Sequence, residues 1–259
     1  MDRGDALRVQ WYDDFDGPEL DTGVWLPHYL PAWSSRAASA ASYHLGNGFL
    51  TLDIPVDHPV WCAGDHVPPL RVSGLQSGSF SGPVGSTLGQ QPFRDGQTVR
   101  EEQPRFEGLL VDGGHLEVCC RMRISQRSMA SLWLVGFEDR PERCGEICVV
   151  EVFGRSVRDG SAEVGSGFKA FRDPELAPDF AAPRLDLDVA DLHTYAVDWD
   201  RTEAVFTVDG RDVRRCAVPP AYPLQLMVAV FDFPEWSDGS DDDLVPALEL
   251  DRVAVGPAR

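Results

Sequence analysis

The chain has almost no lysine, since Lys169 is the only one in 259 residues. Arginine supplies the other positive charges, and the formal net charge is -19 at pH 7. A field of this sign repels nucleic acid and anionic membrane surfaces, so both are excluded as main partners. It also argues against a polyanionic substrate such as a sulfated glycan.

Long apolar runs are also missing. No stretch of about 18 apolar residues occurs, so no segment is predicted to span a membrane. Residues 1–5 do not resemble a basic, apolar leader. We therefore expect a cytoplasmic protein, or a secreted one if the sequence is a trimmed mature form.

Cysteines with metal-binding spacing are missing as well. The chain has six cysteines but no Cys-x-x-Cys pair and no zinc-finger pattern, so we expect free, buried thiols. The sequence likewise offers no Gly-rich phosphate loop and no Ser/His/Asp hydrolase pattern. These absences exclude the commonest metal, nucleotide and serine-hydrolase chemistries.

Short segments of alternating or continuous apolar residues fill most of the chain. Residues 115–124 alternate, residues 131–137 form a nearly continuous apolar run, and Asp209-Gly210 is typical of a tight hairpin turn. Helix signals are few. The pattern predicts a single all-β domain over residues 1–259, built from two stacked antiparallel sheets.

Two long segments, 27–43 and 77–110, do not fit the strand pattern. The second is rich in Gly, Ser and Gln. Structureless segments of this length in a compact domain are usually functional loops or disordered regions. We favour loops that wall a cleft.

Two glutamates, Glu146 and Glu151, interrupt the apolar run of residues 145–154. A buried strand does not tolerate bare carboxylates without a reason, and two acids with different pKa values in one cleft are the usual machinery of a glycosidase. A regular strand would place residues five apart on opposite faces. A bulge near Val149 and Val150 would instead aim Glu146, Cys148 and Glu151 into one cleft. The alternative is one solvent-facing glutamate and one at an edge.

The order of several motifs resembles glycoside hydrolase family 16. Residues 146–151 resemble its catalytic signature, Glu-x-Asp-x-x-Glu, with Cys148 at the place of the Asp. Other segments resemble the family in the same order along the chain, namely 11–17, 114–117, 192–199, 208–210 and 250–255. The resemblance implies a concanavalin A-like β-jelly-roll sandwich of two curved antiparallel sheets with a cleft on the concave face.

The resemblance also implies an activity. Glu146 would be the nucleophile and Glu151 the acid and base of a retaining endo-β-glycosidase, acting on a β-1,3- or mixed-linked glucan or a related glycan. Cys148 would mark a divergent branch, in which the lost negative charge eases ionisation of Glu146 but loosens its orientation. Two alternatives stay open: a non-catalytic glycan-binding protein, and an intracellular enzyme that uses the same cleft on a small glycoside or metabolite.

Five further residues are candidates for substrate binding. Aromatic rings stack on the apolar C–H face of a sugar, and cationic side chains donate to its hydroxyls. Lys169 stands near the position of a cleft histidine in the family, and Trp133 is also a candidate core residue. The candidates are Trp33, Arg36, Trp133, Lys169 and Trp236.

A structural calcium ion is the one metal that the resemblance suggests. Asp14, Gly48 and Asp251 correspond to positions where many family members hold calcium, partly through backbone carbonyls, which are oxygen ligands of the kind calcium prefers. An empty site is the alternative. No cofactor is expected for catalysis. We expect a monomer whose partner is a carbohydrate substrate.

Overall fold

The computed structural model describes residues 10–258, which form twenty strands and one short α-helix. In chain order the strands are β1 (Trp11–Asp13), β2 (Ser42–Gly46), β3 (Phe49–Asp53), β4 (Val60–Trp61), β5 (Leu70–Gln76), β6 (Gly78–Ser79), β7 (Phe106–Glu107), β8 (Leu110–Val111), β9 (Gly114–Arg123), β10 (Ser128–Gly136), β11 (Glu146–Phe153), β12 (Ala162–Glu163), β13 (Gly165–Lys169), β14 (Asp179–Ala181), β15 (Arg184–Leu185), β16 (His193–Trp199), β17 (Glu203–Val208), β18 (Arg211–Ala217), β19 (Leu224–Asp232) and β20 (Ala247–Gly256). The helix α1 is Arg36–Ser39, and 3-10 turns lie at Pro31–Trp33, Gly154–Ser156 and Pro234–Trp236.

Two eight-stranded antiparallel sheets make up the body of the protein. The outer sheet has the order β18-β17-β16-β9-β20-β3-β2, with β1 paired to β20. The second sheet, here called the cleft sheet, has the order β14-β13-β11-β10-β19-β5-β4, with β8 paired to β19. Two further pairs, β6-β7 and β12-β15, lie outside them. The predicted all-β jelly-roll sandwich is confirmed.

Strand β10 shows how the sequence divides the cleft sheet into two faces. Ala130, Leu132 and Leu134 belong to the large core cluster, which also contains residues of the outer sheet. Met129 and Trp133 belong to a second apolar cluster. Successive side chains of a strand point to opposite faces, so the continuous apolar run of β10 serves the sandwich core on one side and the cleft on the other.

The two segments without strand pattern are mostly loops, and both reach the cleft. Tyr29 and Leu30 from the first segment, with Gln91 and Phe93 from the second, line the main cavity. The prediction that these segments wall a cleft is therefore confirmed. The six cysteines are free and buried, as expected. None of the helices in residues 10–258 has the length and apolar character needed to span a bilayer.

Candidate active site

The two glutamates of β11 face the same side because the strand carries a bulge. Val135 lies opposite Glu146 and Ser131 lies opposite Glu151 on β10, so the six residues 146–151 of β11 match the five residues 131–135 of β10. The register shifts between Leu132 and Trp133 on β10, and between Cys148 and Glu151 in the pairing with β13. The bulge predicted near Val149 and Val150 is confirmed. Its consequence is that both carboxylates reach one cavity.

The main cavity has a volume of about 240 Å³ and lies on the cleft sheet. Its walls combine aromatic rings with charged groups. Side chains from β4, β10, β11, β13 and β19 contribute, together with the two loop segments. The lining includes Tyr29, Trp61, His66, Phe93, Met129, Ser131, Trp133, Glu138, Glu146, Glu151, Lys169, Arg172 and Phe231. An apolar hollow with a few convergent polar groups is the usual form of a ligand site.

Lys169 binds both glutamates at once. Its Nζ lies 3.2 Å from Oε1 of Glu146 and 2.8 Å from Oε2 of Glu151. The pairing of β11 with β13 sets this contact, because Lys169 is directly opposite Glu146 in the register. The side chain is 30% exposed, whereas those of Glu146 and Glu151 are 6% and 14% exposed. The three charges therefore form a compact, mostly desolvated cluster.

Burial and two neighbouring charges govern the ionisation of Glu146. Burial raises its pKa to about 7, Lys169 acts in the opposite direction, and the nearby Glu151 adds a smaller increase. The expectation that Cys148 eases the ionisation of Glu146 stays a prediction, and the raised pKa of Glu146 has burial as its main cause. Removing a negative charge at position 148 would help the carboxylate, but withdrawal from water outweighs it.

Cys148 lies between the glutamates but does not contact them as a hydrogen-bond partner. It is fully buried, and its Sγ points to the carbonyl of Gly165 at 3.9 Å. Burial raises the pKa of the thiol well above its ordinary value, so the group is neutral. Lys169, and not residue 148, therefore orients Glu146.

Aromatic rings form the wall facing the charged cluster. Trp133 lines the cavity, as predicted, and its neighbour Phe231 lies with its ring centroid 6.2 Å away. The sequence did not single out Tyr29 and Trp61, whose centroids are 5.2 Å apart. Tyr29 also meets Trp133 edge-on. Their scattered positions in loops and a two-residue strand gave no periodic signal that would have identified them.

The prediction that Trp33 stacks on a sugar is wrong. Its side chain is fully buried in the second apolar cluster. Its indole Nε1 donates to the carbonyl of Gln90 at 2.6 Å. The ring also packs on Gly89, where a Cβ would lie 2.7 Å from it. Trp33 thus anchors the long loop whose residues Gln91 and Phe93 line the cavity.

Arg36 and Trp236 also lie outside the cavity lining. The backbone N–H of Arg36 donates to Glu101 at 2.9 Å and its guanidinium donates to Gln103 at 3.0 Å, so it joins the two loop segments. Trp236 stacks on Phe233 with centroids 4.0 Å apart. Arg36 and Trp236 were candidates for substrate binding, and a polar sequence context does not distinguish residues that pack loops together from residues that contact a ligand.

A third buried glutamate in the cavity, Glu138, was missed. It accepts hydrogen bonds from the backbone of Gln91 and the guanidinium of Arg172, both at 2.6 Å. Burial raises its pKa to about 7. Four non-glycine residues that line the cavity have positive φ, namely Leu30, Gln91, Glu138 and Phe171. Such backbone strain is concentrated at functional sites in proteins.

The three residues proposed for calcium do not form a cluster of side-chain ligands. Within residues 10–258 no group of three or more His, Cys, Asp or Glu side chains could hold a metal ion. The Asp251 carboxylate pairs with Arg252 at 2.8 Å. The Asp14 carboxylate accepts the N–H of Asp16, and Gly48 turns with φ of +75°. A calcium site here would depend on main-chain carbonyls, and it stays a prediction.

The jelly-roll sandwich and its cleft with paired carboxylates define a class of carbohydrate-active proteins. A family model described as "Glycosyl hydrolases family 16" matches residues 114–241, which include β9 to β19 and the whole β11 motif. This match confirms the family resemblance that the sequence indicated. No curated protein sequence matches the chain.

Solved structures of low sequence identity share the fold. A GlcNAcα1-4Gal releasing endo-β-galactosidase from Clostridium perfringens is 21% identical with a TM-score of 0.78, and the match covers 96% of this chain and 62% of that one. The chain therefore spans less than two thirds of that protein. A laminarinase from Flavobacterium sp. UMI-01 is 16% identical with a TM-score of 0.65, covering 96% and 100% of the two chains. A laminarinase catalytic domain from Thermotoga petrophila RKU-1 is 13% identical with a TM-score of 0.66, covering 98% and 99%.

Proposed function

We propose that this protein is a retaining endo-β-glycosidase that cleaves a β-1,3- or mixed-linked glucan or a related glycan. The observation that carries the proposal is the shared contact of Glu146 and Glu151 with Lys169. Two carboxyl oxygens lie within 3.2 and 2.8 Å of one nitrogen, so they are at most about 6 Å apart. Retaining enzymes hold their carboxyls about 5–5.5 Å apart and inverting enzymes about 6.5–9.5 Å apart.

The proposed reaction has two displacements. An ionised oxygen of Glu146 attacks the anomeric carbon, the bond to the leaving oxygen breaks, and Glu151 gives that oxygen its proton. In the second step Glu151 takes a proton from water, the water oxygen attacks the anomeric carbon, and the bond to Glu146 breaks. Both steps invert the anomeric centre, so the product keeps the configuration of the substrate.

Lys169 has a definite task in this scheme. Burial alone favours the neutral form of Glu146, which cannot attack. The ammonium 3.2 Å away favours the ionised form and fixes the carboxylate that Cys148 does not hold. Its second contact, with Glu151, keeps the two carboxyls together before a substrate arrives. The lysine is thus a positioning residue for the nucleophile.

A panel of glycans tests the proposal. Wild-type protein, Glu146→Gln and Glu151→Gln are incubated with laminarin, mixed-linked β-1,3-1,4-glucan, β-galactan and small aryl glycosides, and the products are detected by mass spectrometry. Glu249→Gln, on the outer sheet, is the matched control. We expect products from wild type and control, and a loss of roughly 10³-fold or more in both cleft variants. Full activity in Glu146→Gln would overturn the proposal.

The same lysine contact supports a second candidate, a glycan-binding protein without turnover. An ion pair that occupied both carboxylates permanently would leave neither free to react. The panel separates the two candidates, because binding of an oligosaccharide with no product after long incubation would favour the second.

A further inference from the structure

A second hollow shares one lining residue with the main cavity. It has a volume of about 290 Å³ and its lining includes Glu151, which also lines the main cavity. Three arginines surround it, although the protein as a whole is strongly acidic. The name arginine hollow is used here for the space between Phe153, Arg155, Arg158, Phe180 and Arg184.

Two of the three arginines carry charge that no carboxylate neutralises. Arg184 pairs with Glu163 at 3.0 Å. Arg155 and Arg158 are exposed, and within residues 10–258 no acidic side chain lies within ion-pair distance of either. Most of the other arginines in the described part of the chain, residues 10–258, are paired with Asp or Glu. Glu151 and Glu163 also line the hollow and are paired with Lys169 and Arg184, so Arg155 and Arg158 leave it a local excess of positive charge on a negative surface.

The backbone and two aromatic rings hold these guanidinium groups in place. Arg155 lies over the rings of Phe153 and Trp236, at 4.9 and 5.2 Å from their centroids. Arg158 donates to the carbonyls of Arg155 and Val157 at 2.8 and 2.7 Å. The planar groups are thus oriented before any ligand arrives, and their outer N–H donors remain free to bind an anion bidentately.

Phe180 adds an exposed aromatic ring between the arginines and the glutamates. The ring packs on Gly165, where a Cβ would lie 2.5 Å from it, and Gly165 is directly opposite Glu151 in the strand register. The ammonium of Lys169 lies 4.8 Å from the same ring. The side chain is 36% exposed. An aromatic face beside free cations fits a sugar ring that carries a negative substituent.

We propose that the arginine hollow binds an acidic sugar residue, bearing a carboxylate or a sulfate ester, of the glycan that is cleaved between Glu146 and Glu151. The proposal rests on the proposed function for its catalytic part. The net charge of -19 opposes a densely charged polymer. The substrate class is therefore a mostly neutral glycan with isolated acidic residues, which agrees with the argument that the net charge makes against a polyanionic substrate.

Binding is tested without turnover. The Arg Nε–Hε signals of the protein are followed by NMR during titration with methyl β-D-glucuronide, methyl β-D-glucoside 6-sulfate, neutral methyl β-D-glucoside and inorganic sulfate. Signals of the two arginines are identified by their loss in Arg155→Gln/Arg158→Gln. We expect saturable shifts of the Arg155 and Arg158 signals with at least one of the two acidic sugars. The sugar that binds more tightly shows whether the site prefers a carboxylate or a sulfate ester. No saturable shift with either acidic sugar, or equal binding of inorganic sulfate, would overturn the proposal.

Measurement of kcat/KM provides a second test of the proposal. For a glycan with isolated acidic residues, Arg155→Gln/Arg158→Gln should lower kcat/KM by about tenfold or more, with little change for the neutral glycan. The control Arg201→Gln/Arg211→Gln removes two exposed charges, one in the turn between β16 and β17 and one at the start of β18, and should change neither. Equal losses on both glycans would contradict a specific acidic subsite. If no glycan is cleaved while the arginine signals still shift, the proposed function fails and the binding site stands.

Discussion

Lys169 Nζ lies 3.2 Å from Oε1 of Glu146, and it is the one charged partner of that carboxylate within residues 10–258. The contact joins the only lysine of the chain to the more deeply buried of the two candidate catalytic carboxyls. The family motif that residues 146–151 resemble has an Asp at the place of Cys148. Here a neutral thiol lies there, and a cation on the neighbouring strand provides the electrostatic control.

The activity should depend on pH through Glu146. Attack requires the ionised carboxylate, and burial raises its pKa to about 7. Below that pH the group is protonated, so kcat/KM should fall by about tenfold per pH unit on the acid side. A pH–rate profile measures this. An acid limb near the ordinary glutamate pKa of about 4.3 would show that Glu146 is not the group that limits the reaction.

Replacing Lys169 with Met should move the acid limb upward. The opposite charge lowers the pKa of Glu146, and its removal leaves the raising effects of burial and Glu151 unopposed. A shift of about 1–2 pH units is expected from the loss of such a close charge. Lys169→Arg keeps the charge and should shift the profile far less. Superimposable profiles for Lys169→Met and wild type would rule out the proposed role of the lysine.

Restoring an acidic residue with Cys148→Asp should destabilise the protein. Residue 148 is fully buried, and Lys169 already serves two carboxylates. Burial raises the folded-state pKa of a third carboxyl there, so its destabilising effect is absent below the unfolded-state pKa of about 3.9, grows as pH rises above that value, and is complete above the folded-state pKa. The free energy of unfolding should drop by about 3 kcal/mol at pH 8 and by less at pH 5. Urea unfolding at both values, with Cys148→Ser as control, checks this; an equal loss at both would contradict it.

Replacing Trp33 should destabilise the protein more than replacing Trp236. Trp33 is fully buried and bonded to Gln90, so Trp33→Ala should lower the free energy of unfolding by about 3–5 kcal/mol. Trp236 is half-buried and stacks on Phe233. Trp236→Ala should lower it by clearly less. Urea unfolding of the two variants measures both changes. A smaller loss of unfolding free energy for Trp33→Ala than for Trp236→Ala would contradict the packing role of Trp33.

The architecture was predictable from sequence because it follows from local rules. Alternation in β9 and the Asp209-Gly210 turn specify strands and a hairpin, and the two acids in β11 required a bulge if they were to share a cleft. Each of these signals lies within about ten residues of sequence. The sandwich was therefore predicted correctly, and so was the bulge that brings Glu146 and Glu151 to one cavity.

The remaining site residues depend on contacts between distant segments. Tyr29 meets Trp61 and Trp133 across three elements, and Glu138 becomes buried only when Gln91 and Arg172 close over it. No spacing pattern in the sequence predicts contacts of this kind. The pKa of Glu146 is a further case, because the balance between burial and one ammonium requires the folded geometry.

The central claim is that Glu146 attacks the sugar and Glu151 exchanges the proton. Chemical rescue of Glu146→Ala with sodium azide, on a glycan that the wild type cleaves, tests it most directly. Azide would occupy the space of the missing carboxylate, and the account predicts an α-configured glycosyl azide, identified by NMR. The corresponding Glu151→Ala reaction should give the β-azide through the intact nucleophile. A β-azide from Glu146→Ala would contradict the account.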